Sequence, residues 1–156
     1  MSIEKSLILV KPDGVQRGLI GAIISRIEKR GLRIDAMKVM HVSQELADQH
    51  YGEHKGKPFY NSRIKFITSA PVVAMVVSGP QAVSVLRTMM GKTDARVAAP
   101  GTIRGDFGLS NGTNLVHGSD SLESAEKEIA RFFKPEEICH YTRNSEIWIN
   151  PEVNWE

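Results

Sequence analysis

Cysteine is nearly missing from this 156-residue chain: Cys139 stands alone, which excludes an internal disulfide framework. Apolar runs are short, none approaching the roughly 18–20 residues of a membrane-spanning helix, and no apolar h-region opens the N-terminus. Charge of either sign is not in excess. Twenty Lys and Arg against 18 Asp and Glu leave +2, and the basic residues are scattered rather than massed in a tract, so no nucleic-acid surface is indicated. Repeats, low-complexity tracts and linkers are also lacking. With 41% hydrophobic and 24% charged residues, 1–156 is expected to be a single soluble domain in a reducing, cytoplasmic setting. Asn111-Gly112-Thr113 fits a glycosylation acceptor, but without a secretion signal the Asn-Gly pair reads as a turn.

What the chain does contain is a series of short periodic segments. Ser6 to Val10 and Val72 to Val77 are continuous apolar runs, too short for buried helices, and read as central strands covered on both faces. Leu19, Ile20, Ile23, Ile24 and Ile27 fall at helical spacing before Gly31. Leu32 to Val42 is a second strand whose imperfect alternation predicts a bulge or an edge position. Short helices are expected from Ser43 to Tyr51 and from Pro58 to Ile67, and a longer one from Pro80 to Gly91. Residues 91–113 show little periodicity, and a loop that long in a compact domain is usually functional or disordered. The order β-α-β-β-α-β, with additions, predicts an α/β (α+β) ferredoxin-like fold: a mostly antiparallel four-stranded sheet with helices packed on it.

Everything is organised around Asn114-Leu-Val-His-Gly-Ser-Asp-Ser121. His117 sits between a β-like run and a helix expected from Asp120 to Phe133, with Asp120 and Glu123 at capping-box spacing and Gly118 free to take unusual backbone angles. Glu128 lies at the border of that helix's apolar stripe, where a partly desolvated carboxylate can orient an imidazole. Two other motifs mislead. His50-Tyr-Gly-Glu-His54 has a zinc-protease pattern, yet Gly52 weakens the helix it needs and no third ligand follows. Gly91-Lys92-Thr93 looks like the end of a P-loop, but Leu86 stands where its first glycine belongs.

The string Asn-x-x-His-Gly-Ser-Asp-Ser resembles the signature of the nucleoside diphosphate kinases, and the resemblance runs from about Lys5 to about Tyr141 through Lys11-Pro-Asp-Gly14 and Pro100-Gly-Thr-Ile-Arg-Gly-Asp-Phe107. It implies that His117 is the phosphate-carrying nucleophile, with Glu128, Ser119 and Tyr51 completing the catalytic group. It implies nucleotide ligands at Lys11, Phe59, Arg87, Thr93, Arg104 and Asn114, with Phe59 the ring on which the base stacks, and Lys11 with Asn114 on the sugar. Mg²⁺ is expected to arrive on the nucleotide phosphates and not in a protein cage. The activity so implied is ping-pong transfer of a γ-phosphate, typically from ATP, to a nucleoside diphosphate, with ATP, GTP, ADP, GDP and deoxy forms as substrates.

A homo-oligomer, a hexamer rather than a tetramer, is implied by the length of the tail. Asn111 and Thr113 depart from a bulkier apolar residue and an arginine expected in many relatives. Asn114 and His117 would also alternate to opposite faces of a straight strand, so a bend is required near Asn114. The alternatives are a ferredoxin-like nucleotide-sensing module without catalysis and a zinc peptidase.

Overall fold

The computed structural model describes residues 2–156. Four strands, β1 (Ile3–Val10), β2 (Arg33–Met40), β3 (Val72–Pro80) and β4 (Val116–Gly118), form one sheet in the order β2-β3-β1-β4. Every neighbouring pair is antiparallel. Among the described residues eight α-helices accompany them: α1 (Pro12–Gln16), α2 (Ile20–Lys29), α3 (Gln44–His50), α4 (Tyr60–Ile67), α5 (Ala82–Met90), α6 (Ile103–Phe107), α7 (Leu122–Phe132) and α8 (Glu146–Ile149). The central βαββαβ order is the ferredoxin-like one that the sequence predicts.

Both faces of the sheet are covered, which is why β1 and β3 read as unbroken apolar runs. Leu7, Leu9, Ala74 and Val76 pack with residues of α3, α4 and α7, including Ala47, Ile64 and Phe132. Ile8, Val10, Val73 and Met75 pack on the opposite side with Ile23 and Ile27 of α2 and Leu86 and Met90 of α5. Each large aliphatic buried here contributes about 1.5–3 kcal/mol, and truncating Leu9 to alanine would cost about 2–5 kcal/mol. No helix among the described residues is long and apolar enough to cross a membrane.

β2 is both an edge strand and bulged, its register slipping between Ile34 and Ala36. The inserted residue is Asp35, whose buried carboxylate pairs with Arg33 at 2.8 Å and Lys5 at 3.4 Å. The tail, patternless in sequence, is fixed through the same centre: Arg33 donates to the Tyr141 carbonyl and pairs with Glu146 of α8. Lys11-Pro12-Asp13-Gly14 opens α1, because Pro12 at N1 is preset for a helix. Three local readings change. Pro80 ends β3, and α5 starts two residues later, after Gln81 in a left-handed conformation. The cap of α7 is the Ser121 hydroxyl, which accepts from Ser124 N, so the helix starts at Leu122 and not at Asp120. Residues 91–113 also hold the short helix α6 and a 3₁₀ turn, Ala95–Val97, within what reads as a structureless loop.

Candidate active site

The end of β1 and the start of β4 build the floor of one cavity. Lys11 caps α1; its backbone N–H donates to the Leu115 carbonyl at 2.8 Å and its ammonium donates to Asn114 Oδ1 at 2.8 Å. Asn114 Nδ2 donates in turn to the Thr93 carbonyl at 2.9 Å. Between them Leu115 takes φ +76°, a left-handed conformation that costs a branched residue on the order of 1–3 kcal/mol and survives only where neighbours impose it. The imposing bonds are the one from Lys11 N–H and one from Leu115 N–H to Asp13 Oδ2 at 3.1 Å. This is the bend the sequence requires, one residue beyond Asn114. It lets Asn114 and His117 line the same cavity despite their spacing.

Gly118 is needed for a different reason from the one its sequence context suggests. Its φ is not positive; a Cβ there would come within 2.3 Å of Met90 Cε. A side chain at 118 would force the Met90 side chain on α5 to move aside.

His117 is half-buried and wired into α7. Its Nε2 lies 2.8 Å from Glu128 Oε1, and Ser119 Oγ donates to the same oxygen at 2.8 Å. Ser119 itself is fully buried, accepting from Leu7 N–H at 3.1 Å, so β1 fixes the serine, the serine fixes the carboxylate, and the carboxylate fixes the ring. Burial alone would push the Glu128 carboxyl up, but hydrogen bonds from His117 and Ser119 and the nearby imidazoles outweigh it, holding Glu128 below the usual range. An ionised carboxylate only accepts, so the His117 nitrogen facing it carries a proton, and in the neutral ring Nδ1 is left with its lone pair.

Cations ring the cavity, of about 380 Å³. Lys11 is 6% exposed, and burial followed by the charges of Arg104 and Arg63 lowers its pKa to about 7. Arg104 is equally buried; burial and Arg87 bring it down to about 10. Three of its donors are already spent on the carbonyls of Asn114, Gly91 and Val116, at 3.2, 3.0 and 2.7 Å, which leaves two of the guanidinium's five. Arg87 is exposed and makes one bond, to the Gly118 carbonyl at 3.3 Å. Tyr51, Thr93 and Glu128 line the same space, while Ser119 lies behind it.

Phe59 does not line the cavity. It stands at the mouth, 37% exposed, with the Arg63 guanidinium 4.7 Å from its ring centroid. Arg63 does line the cavity, as does His50, and sequence reading selects neither as a site residue. Arg63 had a usable signal, since it lies four residues after Phe59 at the start of α4, on the same helical face. His50 had none. It ends α3, and its ring meets His117 edge-on at 4.6 Å and Phe132 at 5.5 Å, contacts made through the tertiary fold. Burial first, then electrostatic interaction with the neighbouring His117, lowers His50 to about 3, so it is an uncharged packing partner for the His117 ring.

The zinc-protease pattern dissolves in the structure. His50 closes α3 whereas His54 lies in a separate 3₁₀ turn, Gly52–His54, against Phe59, so the two imidazoles share no helical face. The metal-capable cluster found among the described residues is His50, His117 and Glu128, whose ligand atoms lie within 4.8 Å of one another. Two imidazoles and a carboxylate do not match the oxygen ligands magnesium demands, and the cation-rich floor offers no carboxylate cage.

Comparison with known proteins bears directly on this arrangement. Residues 4–138 match the family model described as nucleoside diphosphate kinase. The chain is 56% identical over 147 residues to the nucleoside diphosphate kinase of Desulforamulus reducens, covering 94% of this chain and 99% of that one. It is 53% identical over 150 residues to that of Archaeoglobus fulgidus, with 96% and 99% covered. Among solved structures it is similar to a halophilic nucleoside diphosphate kinase from Halobacterium salinarum in complex with CDP, with a TM-score of 0.92 and 49% identity over 94% of this chain and 97% of that one. It also matches the Borrelia burgdorferi enzyme captured as a transition-state mimic with vanadate and ADP, with a TM-score of 0.89 and 40% identity over 94% and 96%. A histidine held by a half-buried carboxylate at one end of a cation-lined cavity is therefore found in a chain that belongs to the nucleoside diphosphate kinase family.

Proposed function

We propose that His117 Nδ1 carries the phosphoryl group in a ping-pong transfer between nucleoside triphosphates and diphosphates, ATP, GTP, ADP, GDP and their deoxy forms included. The observation that carries this reading is the 2.8 Å contact between Nε2 and Glu128 Oε1, which commits one ring nitrogen and leaves the other free. The Nδ1 lone pair attacks the γ-phosphorus; the bond from that phosphorus to the bridging oxygen breaks, and the diphosphate leaves with the electron pair. A second diphosphate enters, a terminal β-phosphate oxygen attacks the same phosphorus, and the P–N bond returns its pair to Nδ1. Charge grows on the ring during attack, and Glu128, steadied by Ser119, stabilises it through Nε2–H.

Lys11, Arg87 and Arg104, with the hydroxyls of Thr93 and Tyr51, hold the phosphates in line, because phosphoryl transfer asks for positioning and charge stabilisation and little else. Lys11 and Asn114 take the sugar, and Phe59 stacks on the base, a contact that accepts any base. Mg²⁺ is the divalent cation of this reading; bound through the phosphates, it supplies charge neutralisation. Residues 1–156 act as one cytoplasmic domain in a homo-oligomer, a hexamer. Support for assembly comes from exposed apolar side chains on the edge strand and tail: Val39 at 67% and Trp148 at 84%.

The test is to mix the protein with γ-labelled ATP and Mg²⁺ and quench in alkali. Label that survives base, is lost in acid and is discharged by a nucleoside diphosphate is the expected result. Bound nucleotide with no label on the protein would replace this reading with the nucleotide-sensing module.

A further inference from the structure

Arg63, like Arg131, is a cavity-lining guanidinium with neither an ion pair nor a hydrogen-bond acceptor among the described residues, and of the two it is the one that lies on the Phe59 ring. Its contact within the fold is the face of the Phe59 ring. On α4 the buried residues are Tyr60, Ile64 and Ile67, so Arg63 sits beside the apolar stripe and projects to the cavity mouth. Its position carries an electrostatic cost, since its charge helps depress the Lys11 ammonium. A donor-only group kept without an acceptor, next to other cations, points to an acceptor that arrives with a ligand.

Phe59 and Arg63 are one helical turn apart, and the Phe59 carbonyl accepts from Arg63 N–H at 3.1 Å, so their side chains rise from a shared rigid segment. In the free protein the guanidinium covers the ring face at 4.7 Å. A base stacking on that ring takes the same space and brings its polar edge alongside the displaced guanidinium.

We propose that Arg63 is a base-reading residue that donates to the oxo acceptors of guanine and uracil or thymine, and so favours these bases over adenine and cytosine. The chemistry is one of matching: a guanidinium offers only N–H donors. Guanine presents O6 beside N7 and uracil presents O4, whereas adenine and cytosine place an amino donor at the corresponding position. This rests on the phosphotransfer reading, in which Phe59 is the base platform. It adds a preference to a stacking contact that has none.

The experiment measures kcat/KM for discharge of the phosphorylated enzyme by GDP, UDP, ADP and CDP, alongside calorimetric Kd values for the same four, in the parent protein, Arg63→Leu and Arg63→Lys. The parent should favour GDP and UDP by about fivefold or more, the low end of what one good guanidinium–base pairing discriminates. Arg63→Leu should bring that ratio to about one, and Arg63→Lys, which keeps the charge but loses the fork, should fall between. Equal values for the four acceptors in the parent would overturn the proposal. So would an Arg63→Leu loss of equal factor for all four, the signature of a phosphate ligand. A parent that forms no phosphoenzyme fails the phosphotransfer reading, and the calorimetric ratio then decides Arg63 by itself.

Discussion

At the inner end of the cavity Glu128 Oε1 receives two contacts of 2.8 Å, from His117 and Ser119, and Ser119 is fully buried against β1. At the mouth, Phe59 is 37% exposed, Arg63 rests on its ring without a hydrogen bond, and Lys57 lies 5.9 Å from the ring centroid. The inner end holds a ring nitrogen to a fixed direction, which in-line attack requires. The outer end offers a π-face and a loosely held cation, which suffices to hold bases of several kinds. In the proposed mechanism, rigidity is concentrated where bonds change, and tolerance where only recognition is needed.

Breaking the inner end should have the largest effect. His117→Ala should abolish turnover, since it removes the imidazole that Glu128 holds in place; steady-state phosphotransfer at the parent rate would contradict its role. Next comes Arg87→Ala, expected to cost about 2–4 kcal/mol of barrier, the range for losing one preorganised charge stabiliser. An unchanged kcat/KM would remove Arg87 from the phosphate clamp. Glu128→Gln keeps the shape but loses the charge facing Nε2, and should lower kcat by about 1.5–3 kcal/mol, the value of a hydrogen bond to a charged group. At the outer end, Phe59→Ala should raise KM for every nucleotide by about 1–3 kcal/mol with kcat little changed. A fall in kcat comparable with that of Glu128→Gln would erase the distinction between the two ends.

A pH measurement sharpens the comparison from the floor of the cavity. Folded Lys11 releases its proton at about 7, whereas the unfolded chain keeps it up to 10.5, so between those values the unfolded state binds more protons. The stability of the nucleotide-free protein should therefore gain from Lys11 as pH rises through this window and lose that gain as pH falls toward 7. Nucleotide phosphates favour the charged ammonium. Binding at pH 8 should take up close to one proton, read by calorimetry in two buffers of different ionisation enthalpy, and Lys11→Met should abolish the uptake.

Much of the inner end was legible because local chemistry wrote it into the chain. His117 follows a β-like run, Glu128 sits at the edge of an apolar helical stripe, and the conflict between Asn114 and His117 demanded a bend, which Leu115 supplies at φ +76°. The central strands were readable for a similar reason: burial on both faces leaves an unbroken apolar run in β1 and β3. What stayed hidden depends on partners far away in sequence. Asp35 is inside because Arg33 and Lys5 neutralise it, and alternation cannot show that. His50 reaches His117 only because α3 and β4 converge at the cavity. Pro80 and Asp120 misplaced helix starts by one or two residues, since the decisive features are a left-handed Gln81 and the Ser121 hydroxyl. Arg63 was visible at i+4 from Phe59, but an arginine on a helix flank reads as solvated until the cavity beside it is known.

The most direct test of the central claim is the site of phosphorylation on the His117 ring. Protein labelled with ¹⁵N-histidine, phosphorylated with ATP and held at alkaline pH, should show in long-range ¹H–¹⁵N correlation a phosphoryl group on Nδ1 of His117 and a proton retained on Nε2. Phosphate on Nε2 would contradict the account, because that nitrogen is the one Glu128 and Ser119 are arranged to hold.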